Sequence, residues 1–145
     1  MFVSLGEFEV NNIIKIRVTA IFVQDQESAL KFYTEKLGFV KKRDIPLENG
    51  DRWLTVVSEE EQDGPELLLE PLSGNHFEPA KTYQKALFDA GLPCTQFSVE
   101  NVQEEYERLI NLGVEFSVEP TDIGTTVFAV FNDTCGNNIQ IVEIE

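Results

Sequence analysis

The side chains in this chain that could do chemistry are few and scattered. His76 is the only histidine, and Cys94 and Cys135 are the only cysteines. A histidine can act as an acid, a base or a metal ligand near neutral pH, but a lone histidine in a loop is more often a solvated surface group. The two cysteines lack the C-x-x-C spacing of a zinc or redox motif, which favours free thiols in a reducing compartment. The role of His76 stays open at this stage.

Carboxylates and one tryptophan offer other kinds of site. Asp44 and Glu70 could serve as a general base or bind a cation, although exposed carboxylates are commoner. Trp53 could form a wall for a planar ligand, although a tryptophan in a strand is more often part of a core or an interface. A single histidine leaves no Ser-His-Asp order to test, and we find no phosphate-binding loop and no dinucleotide fingerprint. These residues assign no catalytic role.

The charge balance narrows the class of partner. The 145 residues include 26 acidic and 11 basic side chains, for a net charge of −15. Such a surface repels nucleic acid and anionic membranes and attracts cations. The first residues lack the basic start and long apolar run typical of a signal peptide, and no apolar run is long enough to span a bilayer. We therefore expect a cytoplasmic protein with a small-molecule ligand and neither a nucleic-acid nor a membrane partner. The charge admits a cationic ligand, but an acidic surface that only keeps a protein soluble is the commoner case.

The elements that must position any site are organised around residues 23–39. An apolar run with alternating periodicity leads into a segment with the 3.6-residue periodicity of a helix. Asp25 is a plausible N-cap, and Gly38 stands where the chain must leave the helix. The predicted unit is strand, tight turn, helix, strand, and the apolar helix face comprises Ala29, Phe32, Tyr33 and Leu37.

The same unit occurs again in residues 94–116, about 76 positions further on. Asn101 and Glu104 resemble a capping box at the start of its helix. A fixed offset between two copies of one supersecondary unit predicts two half-domains that share one site. The halves are a βαβββ module at about 14–72 and another at about 93–145, preceded by an arm at 1–13. A linker at 73–92 joins them and holds a helix at 79–90, with Tyr83, Ala86 and Leu87 on one side.

Turn residues and periodicity place the other elements. In module one we predict strands at 14–23, 39–44, 53–58 and 66–71 and a helix at 26–36. In module two we predict strands at 94–99, 116–120, 125–132 and 138–144 and a helix at 102–112. The fold class is α+β.

Two motifs resemble a known family. Residues 23–39 read VxDxxxAxxFYxxxLGF, and DTCGNNIQIVEI near the end stands in the place of a DPxGNxxEL motif. Both resemble the vicinal oxygen chelate superfamily, which includes glyoxalase I, bleomycin resistance proteins and extradiol dioxygenases. The resemblance spans nearly the whole chain and implies two βαβββ modules that form a curved mixed sheet with a concave cup. It also implies a homodimer. It does not name a reaction, because one fold hosts many chemistries.

The resemblance implies that four positions would hold a divalent metal. They fall on Val18, Leu67, Cys94 and Gln140, and a one-residue slip would replace Leu67 by Glu66. Two of the four are hydrocarbon side chains, whereas a metal site normally takes three protein donors. We therefore expect no cofactor. A lyase, isomerase or dioxygenase with an unusual metal set such as Glu66, Cys94 and Gln140 is the less favoured alternative.

Without a metal, the cup can still bind a small organic molecule. Alternation along the strands gives apolar walls with a few polar groups, a composition typical of ligand pockets. The same residues could also simply fill the cup. Whether the protein is an enzyme stays open, and a non-catalytic dimeric interaction module is a third hypothesis. The candidate pocket comprises Val18, Phe22, Trp53, Leu67, Cys94, Gln96 and Gln140.

Overall fold

The structure is a computed structural model that describes residues 13–72 and 77–143. His76 and nearly all of the N-terminal arm lie outside the described residues. No helix in the described ranges is long and apolar enough to cross a membrane.

Module one contains four strands and one helix in the order β1-α1-β2-β3-β4. Helix α1 continues directly into a π-helical turn, and a short 3₁₀ turn at Glu59–Glu61 precedes β4. The elements are β1 (Val18–Val23), α1 (Gln26–Lys31, with the π turn Phe32–Lys36), β2 (Val40–Pro46), β3 (Arg52–Val57) and β4 (Glu66–Pro71).

Module two repeats this order after a linker helix, α2. The elements are α2 (Glu78–Asp89), β5 (Pro93–Val99), α3 (Val102–Asn111), β6 (Phe116–Asp122), β7 (Val127–Asn132) and β8 (Asn138–Glu143). The α+β class and the two βαβββ modules are therefore confirmed.

Hydrogen bonding divides the strands into two four-stranded mixed sheets of the same topology. Their orders are β1-β4-β3-β2 and β5-β8-β7-β6. In each sheet the first strand pairs in parallel with the last one, and the other pairs are antiparallel. The repeat in the sequence is thus a repeat of strand topology.

The module helices begin as the sequence predicts. The Asp25 carboxylate accepts a hydrogen bond from the Ser28 amide at 2.8 Å, and Asn101 Oδ1 accepts one from the Glu104 amide at 3.0 Å. Each bond satisfies a main-chain donor that has no partner within the first helical turn. Gly38 ends the first helical segment with a φ of +84°, as its predicted C′ position requires.

One hydrophobic core joins the two modules on the helix side of the sheets. The ring centroids of Phe32 and Phe131 are 6.0 Å apart, and those of Phe39 and Phe97 are 5.2 Å apart. Burial of these rings from both halves stabilises their association.

Two predicted features differ from the structure. The first strand begins at Val18 rather than residue 14, and Ile14 and Ile16 are 98% and 85% exposed. In α2 the buried residues are Ala80 and Gln84, not the predicted apolar side that carries Tyr83. Gln84 can be buried because its side chain donates hydrogen bonds to main-chain and side-chain oxygens.

Candidate functional site

The candidate site lies on the face of the sheets opposite the helices, which we call the cup face. In β1, Ile21 and Val23 point into the core, so alternation puts Val18, Ala20 and Phe22 on the cup face. Paired residues on neighbouring strands share a face. The register between β1 and β4 therefore adds Glu66, Leu68 and Glu70, which pair with Val18, Ala20 and Phe22.

The placement of Leu67 on this face was wrong by one residue. Leu67 pairs with Thr19 and belongs to the hydrophobic core, with 7% of its surface exposed. Val23 and Val99 are equivalent in the repeat, and they pair with Pro71 and Glu143. Leu68 lies three residues before Pro71, and Gln140 lies three residues before Glu143. Leu68 is therefore the counterpart of Gln140. The run Leu67–Leu69 hides this register, because three identical side chains show no alternation.

Glu66 is the position that a one-residue slip would put in place of Leu67 as a metal ligand. Its carboxylate is already paired with other residues of module one. Its carboxylate accepts a hydrogen bond from the Thr55 hydroxyl at 2.7 Å and an ion-paired one from Arg43 Nε at 3.1 Å. The Thr55 hydroxyl first, and Arg43 after it, lower the pKa of Glu66 from its ordinary value. Glu66 is thus ionised and already partnered.

Gln96 and Gln140 face each other in module two. They are register partners on β5 and β8, and Gln140 Nε2 donates to Gln96 Oε1 at 2.8 Å. Both lie on the cup face, because their neighbours Phe97 and Ile141 contribute to the core. The structure therefore brings these two predicted residues together as a neutral amide pair.

Cys94 lies at an irregularity in β5, where the register with β8 shifts between Pro93 and Thr95. Burial, and to a smaller degree the nearby Asp133, raise the pKa of the Cys94 thiol to about 11. Both cysteines are free, as the sequence predicts. Cys94 is thus a neutral thiol at neutral pH, whereas metal binding and nucleophilic attack need the thiolate.

The four corner positions do not fit a divalent metal. Val18 and Leu68 carry no lone pair, the Cys94 thiol holds its proton, and Gln140, whose Nε2 donates to Gln96, offers one neutral amide oxygen. One neutral oxygen does not make a metal site, which normally takes three protein donors. Within residues 13–72 and 77–143, no three His, Cys, Asp or Glu side chains are grouped so that they could hold a metal ion.

The cup face of module one leaves large apolar side chains in solvent. Val18 is 42% exposed and Trp53 is 38% exposed. Ile45, the register partner of Trp53 on β2, is 50% exposed. Buried Leu54 points to the helix side, so Trp53 and Ile45 point to the cup side. This surface combines an indole ring with aliphatic side chains.

Two cavities connect the modules near this face. One of about 190 Å³ lies where β1, β4, α2 and β5 meet, and it brings the predicted residues Phe22 and Cys94 together. Another, of about 270 Å³, includes Leu67 and Gln96 with Glu66. Sequence reasoning named Glu70 as a possible cation ligand but did not place it beside Phe22. It did not include Tyr83 and Leu87, which also line the first cavity, in the candidate pocket. The pairing of Glu70 with Phe22 would have placed Glu70 here, had the register of β4 been read correctly.

Asp133, in the motif before β8, is buried and accepts hydrogen bonds from residues of both modules. Asp133 Oδ2 accepts a hydrogen bond from the Tyr33 hydroxyl at 2.6 Å and one from Asn137 Nδ2 at 2.9 Å. Its Oδ1 accepts from the amides of Cys135 and Asn137 at 2.7 and 3.0 Å. The two motifs singled out in the sequence therefore meet in space.

A family model for the Glyoxalase/Bleomycin resistance protein/Dioxygenase superfamily matches residues 15–141. The chain belongs to this superfamily. The resemblance stated from the two motifs is thus confirmed. Membership in the glyoxalase/bleomycin resistance superfamily accounts for the paired modules and leaves the reaction or ligand unassigned.

Relatives of the same length extend this result. A Bacillus subtilis (strain 168) protein described as "Uncharacterized protein YurT" is 58% identical, over 90% of this chain and 99% of the relative. The crystal structure of UcmS2 matches with a TM-score of 0.77 and 32% identity, over 90% of this chain and 98% of that one. TnmS3, described as an antibiotic binding protein from Streptomyces sp. CB03234, matches with a TM-score of 0.68 and 25% identity, over 92% and 98%.

Proposed function

We propose that this superfamily member binds a small organic molecule on its cup face without a metal. The observation that carries the proposal is that the cup face of module one exposes Trp53 beside its register partner Ile45 and, at the start of β1, also exposes Val18, with polar groups on the same face. Apolar walls with a few placed polar groups are the usual composition of a small-molecule site. Burial of such side chains by a ligand releases about 25 cal/mol for each Å² of apolar surface removed from water.

The chemistry of the corner positions supports binding over metal-assisted turnover. A metal in this fold family would polarise substrate oxygens, a task that needs donors able to hold it. Here those positions carry two hydrocarbon groups, a protonated thiol and a paired amide. The likeness to TnmS3, described as an antibiotic binding protein, supports the same conclusion by analogy and makes antibiotics the first class of ligand to test.

Trp53 provides the measurement, because it is the only tryptophan in the chain. We expect tetracycline- and anthracycline-type antibiotics, used as polycyclic probes, to change its fluorescence with saturation, and we expect calorimetry to give matching affinities. Val18→Arg and Ile45→Arg introduce a charged side chain into the apolar surface and should weaken binding by at least about tenfold, or 1.4 kcal/mol.

Ile110→Arg is the matched control. Ile110 is 43% exposed on α3, away from the cup face, so the same change should leave the affinity unaltered. Circular dichroism establishes that all three variants fold. Equal losses in the cup and control variants, or no saturable signal with any probe, would contradict the proposed function.

A further inference from the structure

The cavity of about 190 Å³ is built from both modules and the linker helix. Ala20 and Phe22 of β1 and Cys94 of β5 form one side, and Tyr83 and Leu87 of α2 form the other. This volume lies below the roughly 300–1,000 Å³ of pockets that hold drug-sized ligands. The cavity therefore suits one small ring with a short substituent.

Glu70 is the one charged residue among those that line this cavity. It is half-buried and pairs in register with Phe22, which places the carboxylate next to a ring on the cup face. In the described part of the chain, no hydrogen bond or ion pair reaches its carboxylate. This carboxylate is therefore available to pair with a bound cation.

The polar neighbours of Glu70 are committed elsewhere. Gln84 Nε2 donates to the Phe22 carbonyl at 2.9 Å and to Asn137 Oδ1 at 3.2 Å. Asn137 Nδ2 donates to the Phe22 carbonyl at 2.8 Å and to Asp133 Oδ2 at 2.9 Å. These amides are held in place by the main chain and cannot turn to satisfy the carboxylate of Glu70.

We infer that this cavity is an amine-binding subsite, in which Glu70 pairs with the ammonium group of a ligand that carries a small aromatic or aliphatic ring. The ammonium donates charge-assisted hydrogen bonds to the carboxylate. The rings of Phe22 and Tyr83 add cation–π attraction from the cavity wall. The net charge of −15 raises the local concentration of cations around the site. The inference rests on the proposed function, since it names the chemical class of one end of the ligand.

Benzylamine and benzyl alcohol test the charge requirement, because they have the same shape and differ in the cationic group. We expect benzylamine to bind, measured by calorimetry and by amide chemical shifts around the cavity, and benzyl alcohol to bind at least about tenfold more weakly. Glu70→Gln should reduce benzylamine affinity by about tenfold and leave benzyl alcohol unchanged. Glu59→Gln removes the same charge from an exposed turn and should change neither affinity.

Leu87→Trp locates the site, because the larger ring fills the cavity and should abolish binding of both compounds. The inference is overturned if benzylamine does not bind, if Glu70→Gln binds it normally, or if Leu87→Trp leaves binding intact. The polycyclic probes monitored through Trp53 are scored separately. A saturable response to them combined with any of these three results would sink the amine subsite and leave the proposed function standing.

Discussion

At the scale of single residues, the carboxylates in and near the site differ in how many hydrogen-bond donors they already have. Glu66 accepts from Thr55 and Arg43, and Asp133 accepts from Tyr33 and three other donors. Glu70, on the same face as Glu66, has no such partner among the described residues. This contrast separates two carboxylates that support the fold from Glu70, the proposed partner of a ligand ammonium group.

The first prediction concerns Thr55→Val. The change removes the Thr55 hydroxyl that donates to the Glu66 carboxylate. Loss of this hydrogen bond should raise the pKa of Glu66 toward the ordinary value of about 4.3. Because the folded pKa lies below the unfolded one, the interaction stabilises the protein above the unfolded pKa, and that stability is lost as pH falls through the folded pKa. Urea unfolding should show a loss of about 1 kcal/mol at neutral pH that shrinks in acid.

Thr125→Val serves as the control for that experiment, because Thr125 lies exposed in the turn between β6 and β7. It should leave both the stability and its pH dependence unchanged. A Thr55→Val protein whose deficit is the same at neutral and acid pH would show that the hydroxyl does not act through Glu66.

The second prediction concerns Asp133→Asn. The carboxylate of Asp133 accepts four hydrogen bonds. In the variant, the NH₂ group of the new amide would face hydrogen-bond donors where it needs an acceptor. We expect a loss of about 2–3 kcal/mol in the free energy of unfolding. Tyr33→Phe removes one donor and keeps the ring, and it should cost about 1 kcal/mol. Equal costs for the two variants would contradict this account.

At the scale of elements, the linker helix decides the shape of the site. Gln84 fixes α2 to the end of β1 and to the loop before β8, and this places Tyr83 and Leu87 over the small cavity. The sequence predicted the helix nearly to the residue. It did not predict the buried face, because a glutamine becomes a buried residue only when distant partners satisfy its amide.

The third prediction concerns Gly136→Ala. Gly136 has a φ of +100°, and an added Cβ would lie 2.8 Å from Gln84 Oε1. Gly124 has a φ of +93° with open space around it. Gly124→Ala should therefore cost about 1 kcal/mol from the backbone alone, and Gly136→Ala should cost more and displace Gln84. Hydrogen exchange of the α2 amides should rise in Gly136→Ala only. Equal exchange in both variants would show that Gln84 does not hold the helix.

At the scale of the whole molecule, each sheet has two edge strands in the described chain, and the stretch before β1 is apolar and exposed. The edge strands are β1 and β2 in one sheet and β5 and β6 in the other. Ile13, Ile14 and Ile16 are 68%, 98% and 85% exposed. Edges and apolar segments of this kind commonly become covered by association.

The fourth prediction is therefore a homodimer. Light scattering should give twice the 16.4 kDa mass of the chain. The double variant Ile14→Glu and Ile16→Glu should shift the mass toward the monomer, because it introduces charges into the apolar segment that a second copy would cover. Ile110→Glu, on α3, is the control and should remain dimeric. A monomeric mass for the unaltered protein at micromolar concentration would refute this prediction.

The sequence by itself determined the order of elements in the two modules, the helix caps and the superfamily. These features follow from local periodicity, turn chemistry and a repeat that is visible within one chain. Tertiary structure alone decided which leucine of β4 faces the cup, that Gln96 meets Gln140, and that Glu70 lies in a cavity with residues of the linker helix. Strand register and helix docking depend on hydrogen bonds between segments far apart in the chain, which local patterns do not encode.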